Sequence, residues 1–324
     1  MSTATVSKAF SSESDISYET VERVRAAARE LGYYPSAAAR SLKTRHACNL
    51  GILAQLSHPD GIYTEFLTRT INAFQAEAER NGYDITFLSK SLSGKTISYE
   101  EHCLYRNFDG VAFICADFFS PQILTLMNKD ISGVTVDYVG ERHPSVMTDN
   151  RTAYQELAEF VYKRGHRRIA VVRDVSTVVA DIRYQYLCEA FEARGLEIPR
   201  GQCVPCMFND VAGAAEATRQ ILRQGAPPTC IFYPDDIACL GGLNMLRDSG
   251  YSVPRDISVV GFDGIQLSQV IHPRITTYWQ DMETIGRSAL HLLLREIENP
   301  EAGGPREHQL IAGKVLPGET VACL

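Results

Sequence analysis

No run of eighteen apolar residues occurs anywhere in these 324 residues, so a helical membrane span is not expected. The N-terminus, Met-Ser-Thr-Ala-Thr-Val-Ser-Lys, lacks a basic segment followed by an apolar run, so it reads as no secretion signal. The expected location is therefore cytoplasmic, with the nine cysteines reduced and used as small apolar residues. The pair Cys203-Val-Pro-Cys206 has neither a second pair nor a neighbouring histidine, which suits strand packing better than zinc or redox chemistry. The eight histidines are scattered; none forms a nucleophile motif with Ser or Cys, and His102/Cys103 and His143 stand apart from further ligands. Glycine-rich nucleotide fingerprints and a P-loop lysine are missing too. Neither an enzyme, nor a metal, nor a cofactor is expected.

A broad excess of positive charge is also absent: the net charge is −7. Its distribution is uneven. Residues 1–45 carry seven basic side chains against five acidic ones, a net +2, leaving −9 for the rest. A mildly basic head on an acidic body permits a local surface that contacts phosphates.

What is present falls into a small helical head and a long α/β body. The head opens with a short helix placing Val6, Ala9 and Phe10 on one face, then a turn over Ser11–Ser14. Asp15 or Ser17 can cap a second helix that runs to Leu31 with Val21, Val24 and Ala28 on its apolar stripe, and Gly32 supplies the stop. In Tyr34-Pro-Ser-Ala-Ala-Ala-Arg-Ser-Leu42, Pro35 suits a helix entry, Ser36 can cap, and Ala37–Lys43 favour helix without bulk. So short a helix is marginal alone in water, so it should form only when something packs against it. A conditional helix between head and body is the joint of a switch.

In the body, strand-like runs recur at Leu50–Ala54, Ile85–Leu88, Val111–Ile114, Val134–Tyr138, Ile169–Val172, Cys230–Phe232 and Ile257–Phe262. Helix patterns lie between them at Thr64–Asn81, Thr152–Arg164, Asp181–Arg194, Ala214–Gln224, Ile237–Ser249 and Met282–Glu298. This alternation predicts an α/β fold: two doubly wound parallel-sheet lobes, with ligand between them at the carboxyl ends of the strands.

Three head stretches carry a resemblance: Ser2-x-x-Thr5-Val6-Ser7-Lys8, Ile16-Ser17-x-x-Thr20-x-x-x-Val24, and Leu31-Gly32-Tyr33-Tyr34-Pro35-x-x-x-Ala39-Arg40-Ser41-Leu42. They resemble the lactose-repressor family of bacterial transcription regulators. Phe108-Asp109-Gly110-Val111, Asp149-Asn150, Gly165-His166-Arg167-Arg168-Ile169, Ile231-Phe232-Tyr233-Pro234-Asp235-Asp236, Pro254-x-x-Ile257 through Asp263, and Thr276-Thr277-Tyr278-Trp279-Gln280 continue it in the family's order. The Gly165–Arg168 motif reads as scaffold, a helix stop with cations near the dipole's negative end.

The resemblance implies a periplasmic-binding-protein-like fold behind a helix-turn-helix head and hinge helix (residues 1–45). The body, 46–324, would divide into a first lobe (46–149 plus 281–309) and a second (150–280 plus 310–324). It implies a repressor that binds a pseudo-palindromic DNA operator as a homodimer and responds to a small effector, a sugar first. The chain carries no C-terminal heptad segment, so dimers rather than tetramers are expected. DNA contacts fall on Ser2, Thr3, Ala4, Ser7 and Lys8 of the recognition helix, and on Tyr34, Ser36, Ala39 and Leu42 at the hinge, Leu42 as the minor-groove wedge. Effector contacts fall on Phe66, Asp137, Tyr138, Arg183, Phe208, Asp235, Asp263 and Gln280, with Tyr63 beside Phe66. Acidic acceptors, a planar Arg donor and an aromatic face suit a polyhydroxylated ring.

Family members place another helix ahead of the Ser matching Ser2. The expectation is a truncated head with Val6, Ala9 and Phe10 exposed, Met1 standing at an internal valine codon. N-terminal sequencing of the native protein tests that. The rival reading is a sugar-binding sensor without DNA binding.

Overall fold

The computed structural model describes residues 3–10, 16–33, 46–54, 64–300 and 305–324. The head comprises α1 (Thr3–Ala9) and α2 (Tyr18–Glu30). Ser17, extended, caps α2 by accepting the Thr20 N–H, and Gly32 follows the last turn at φ 63°. The expected exposure of Val6, Ala9 and Phe10 is only partial. Ala9 is buried and the other two are half-buried, because α1 packs on α2, whose Val24 and Ala28 are buried. The Tyr33 ring also meets Phe10 edge-on at 6.3 Å. The helix expected over 37–43 lies outside the described residues, as do Ser2, Tyr34, Ser36, Ala39, Leu42 and Tyr63.

The first lobe is built from β1 (Asn49–Leu53), α3 (Glu65–Arg80), β2 (Asp84–Phe87), the hairpin β3 (Ser91–Leu92) and β4 (Lys95–Thr96), α4 (Tyr99–Arg106), β5 (Gly110–Phe113), α5 (Pro121–Met127), β6 (Gly133–Val136) and β7 (Ser145–Thr148). The chain then crosses into α6 (Asn150–Lys163), β8 (Ile169–Asp174), α7 (Val178–Glu192), β9 (Cys203–Cys206), α8 (Val211–Leu222), β10 (Cys230–Phe232), α9 (Asp236–Asp248), β11 (Ser258–Val260), α10 (Gln266–Val270) and β12 (Thr277–Trp279). It returns through α11 (Met282–Glu298) and β13 (His308–Ile311), and ends past β14 (Lys314–Leu316).

Two parallel sheets result, ordered β13-β7-β6-β5-β1-β2 and β11-β10-β8-β9. Strand order reverses between β1 and β5 in one sheet and between β8 and β10 in the other. At such a point successive loops leave to opposite faces and open a crevice at the carboxyl ends of the strands. β12 and β14 pair antiparallel beside the crossings.

Burial explains why the layers hold. On α11, Met282, Ile285, Ala289, Leu290, Leu292, Leu293 and Ile297 form a stripe at helical spacing, buried with Leu67, Ile71 and Phe74 of α3 and Leu50 and Ile52 of β1. Each large side chain so buried contributes about 1.5–3 kcal/mol. In the second lobe Tyr154, Phe262 and Tyr278 stack, with ring centroids at 5.2 and 5.6 Å.

The Gly165–Arg168 motif is scaffold. Gly165, at φ 92°, ends α6, and the Arg164 and Arg167 guanidiniums donate to the carbonyls of Phe160 and Tyr162 in its last turns. Buried His166 meets the Ala322 carbonyl through Nε2 at 3.1 Å, docking the C-terminal tail.

Candidate functional site

Between the lobes lies a cavity of about 130 Å³, roughly ten times the ~10–15 Å³ that one water needs. From the first lobe it is lined by Thr64 and Phe66 at the start of α3, by Cys115, Ala116 and Phe118 beyond β5, and by Val136 and Asp137 at the end of β6. The second lobe supplies Ser176, Thr177, Val178, Val179 and Arg183 around the start of α7, Met207–Asn209 beyond β9, Asp263 beyond β11, and Gln280. These are the carboxyl ends of strands from both sheets.

Arg183 is the central donor. It is only 5% exposed, and burying a charge is costly unless its donors are satisfied. Its Nε donates to Asn150 Oδ1 at 3.0 Å and its Nη2 to Gln280 Oε1 at 3.2 Å. The guanidinium lies 4.3 Å over the Phe262 ring, a placement the ring's quadrupole favours. Gln280 Oε1 also accepts from Thr148 at 2.5 Å, and its Nε2 donates to Asp263 Oδ1 at 2.6 Å. Among the described residues Nη1 of Arg183 has no acceptor.

The two cavity carboxyls differ: Asp263 holds the Gln280 amide, whereas Asp137 is not satisfied. Asp137 Oδ1 is buried without a partner. Burial pushes the Asp137 carboxyl above its ordinary range, with Arg183 opposing. Burial pushes Asp263 well above its ordinary range; Arg183 opposes, while Asp235 and Asp236 add to the rise. The backbone around them is strained. Among the described residues seven non-glycines have positive φ, and four of them, Cys115, Asp137, Asn209 and Asp263, line this cavity. Such residues cost about 1–3 kcal/mol each and persist where surrounding structure holds them.

Of the residues expected at an effector site, Phe66, Asp137, Arg183, Phe208, Asp263 and Gln280 meet at the cavity. Two do not. Tyr138 turns to stack on Phe118, with centroids 4.2 Å apart, and so backs a wall residue. Asp235 is buried beneath the lining: its carboxylate accepts the Ala238 N–H at 2.7 Å, capping α9, and the Asn209 N–H at 2.8 Å. Burial pushes it up to about 6. Asp181 and Tyr186, on the same helix as Arg183, face elsewhere, pairing with Arg173 and Arg151.

Sequence reasoning missed Asn150 and Thr148 as partners of Arg183 and Gln280, although Asp149-Asn150 stood among the family motifs. It also missed Phe118 and Asn209. Asp174 supports the same loop, accepting the Phe208 N–H at 2.7 Å.

In the head, Thr3, Ala4, Ser7 and Lys8 lie on α1, with Lys8 exposed. Among the described residues no group of His, Cys, Asp or Glu could hold a metal ion, and no helix is long and apolar enough to cross a membrane.

Residues 1–36 match the model for bacterial regulatory proteins of the lacI family, and residues 158–321 that for a periplasmic binding protein-like domain. The HTH-type transcriptional repressor PurR of Pectobacterium carotovorum is 30% identical over 305 residues, covering 92% of this chain and 87% of PurR. The repressor CytR of Escherichia coli strain K12 is 28% identical over 309 residues, covering 94% and 88%. Among solved structures, the lac repressor dimer bound to operator and the anti-inducer ONPF superposes with a TM-score of 0.81 at 21% identity, covering 98% of this chain and 95% of that one. A transcriptional regulator CelR–cellobiose complex gives 0.75 at 22%, covering 98% and 94%. Both share the fold.

Proposed function

This chain belongs to the lacI family of bacterial regulatory proteins, and from that premise we propose that a small neutral or aminated ring compound, a sugar first, binds between its lobes and governs its action on DNA. The chain is a DNA-binding transcriptional repressor, its relatives being repressors rather than enzymes. Within that reading, a homodimer presents two recognition helices to a pseudo-palindromic operator. Thr3, Ala4, Ser7 and Lys8, with Ser2, face the major groove. Tyr34, Ser36, Ala39 and Leu42 contact the minor groove at the hinge.

One observation carries the ligand assignment: the unpaired Asp137 Oδ1 and the Arg183 guanidinium converge on one cavity with Phe66, Phe118 and Phe208 around it. Hydroxyl groups on a ring donate to Asp137 and Asp263 and accept from Arg183, while the ring's apolar face meets an aromatic side chain. Once ionised, the two acidic side chains against one cation disfavour a phosphate or an acidic sugar and favour neutral or aminated rings. A structural neighbour solved with cellobiose makes saccharides a sensible first panel.

The test is calorimetry of the full chain against neutral sugars, amino sugars, polyols, nucleosides and sugar phosphates. Asp137→Asn and Asp263→Asn are the controls. A hydrogen bond to a charged group contributes about 1.5–3 kcal/mol, so each variant should weaken binding by about ten- to a hundredfold. Binding untouched by both, or strongest for a sugar phosphate, would refute the assignment.

A further inference from the structure

We propose that Glu65 and the segment Asp263–Gln266 form a clasp across the cleft that sets the angle between the lobes, with Glu65 its positioning residue. Two consecutive amides are held by carboxylates from opposite lobes. The Ile265 N–H donates to Asp236 Oδ2 at 2.9 Å, on α9 of the second lobe. The Gln266 N–H donates to Glu65 Oε2 at 2.8 Å, at the start of α3 in the first lobe. Between these bonds the Ile265 side chain leaves its own lobe and is buried, 6% exposed, in the first lobe's core with Phe66 and Met282.

The clasp is braced on both sides. Glu65 Oε1 accepts from Arg69 at 3.2 Å, and Arg69 donates to Glu283 of α11 at 2.9 Å, so the carboxylate is tied to both helices that cover one face of the first sheet. On the other side the Ile265 carbonyl accepts from Ser268 at 2.7 Å. Gly264, at φ 68°, allows the turn; a Cβ there would stand 2.5 Å from the Trp279 Cα. The covalent crossings join the lobes near Thr148–Asn150, Trp279–Met282 and Ile311–Lys314. The clasp adds a contact that none of these makes.

Its position gives it a role. Asp263 lines the cavity two residues ahead of Ile265, and Thr64 and Phe66, on either side of Glu65, line it from the other lobe. A ligand that draws Asp263 toward it pulls on the segment that grips the first lobe. Cavity occupancy and lobe angle therefore share one short stretch of chain. That last step rests on the ligand reading above; the clasp itself does not.

The test needs no ligand. Amide hydrogen exchange and small-angle scattering are measured on the full chain as wild type, Glu65→Ala and Glu65→Gln. Glu65→Ala removes the acceptor, so exchange of the Gln266 amide should rise about tenfold or more and the radius of gyration should increase. Glu65→Gln keeps an oxygen in place and should restore both. The clasp is overturned if Glu65→Ala changes neither quantity, if Glu65→Gln fails to restore them, or if protection is lost throughout α3 and α9 rather than at the clasp. None of these outcomes bears on whether Asp137 and Asp263 bind ligand, so the two proposals fail separately.

Discussion

Asp236 shows at the scale of one residue how burial sets a pH dependence. Burial pushes its carboxyl up to about 7, with the nearby Thr277 and Ser268 hydroxyls and the Ile265 N–H opposing the rise; among the described residues its Oδ1 has no partner. Between about 4 and 7 the folded chain therefore holds a proton that the unfolded chain has released, and stability falls as pH rises through that window. Asp235, at about 6, acts in the same direction. Asp236→Asn carries no such proton. The difference in melting temperature, variant minus wild type, should become more positive from pH 5 to pH 8. A difference that stays flat over this range would mean that Asp236 is ionised throughout.

At this scale the site was only partly legible. An Arg on a helix usually reads as a solvated face, and only the family resemblance pointed Arg183 inward. Nothing local in the sequence marks Asn150 and Gln280 as its acceptors, because they arrive from two of the three crossings between lobes. Asp235 was read as a lining residue, yet it opens α9. An acidic residue after a strand serves equally as ligand acceptor or as helix cap, and the choice depends on which way the following turn runs.

Among the elements, α3 and α11 pack closely because Gly286 lies against α3. A Cβ at Gly286 would stand 2.3 Å from the Thr70 carbonyl oxygen. Gly286→Ala should therefore force the helices apart and cost about 1–3 kcal/mol by overpacking, read as a lower urea midpoint. An unchanged midpoint would mean that the helices separate freely. The helices with a strong apolar stripe, such as α3 and α11, were plain in the sequence, and so were buried strands such as β5 and β10. The strands β13 and β14 were not. They lie half-exposed, and His308-Gln-Leu-Ile311 and Lys314-Val-Leu316 do not alternate polar with apolar residues. β7 is four residues long and buried throughout, too short for periodicity to register.

For the whole molecule, a repressor that senses a ligand must couple two sites. DNA binding lies with the head, and the cavity lies between lobes that the Glu65 clasp and three chain crossings join. If occupancy changes the lobe angle, and the angle changes how two heads are presented, ligand and DNA affinities are linked by one coupling free energy. The sign of regulation depends on which lobe angle favours DNA. A site selected from random DNA supplies an operator for the measurement, and the compound that calorimetry identifies supplies the ligand.

The decisive measurement is the affinity of that ligand for the protein, alone and with the selected DNA bound, beside the affinity for DNA with and without ligand. Coupling through the lobes predicts that the two ratios agree, at about 5–150-fold as is typical for allosteric pairs. A ligand that binds the cavity with one affinity, whether or not DNA is bound, would contradict it.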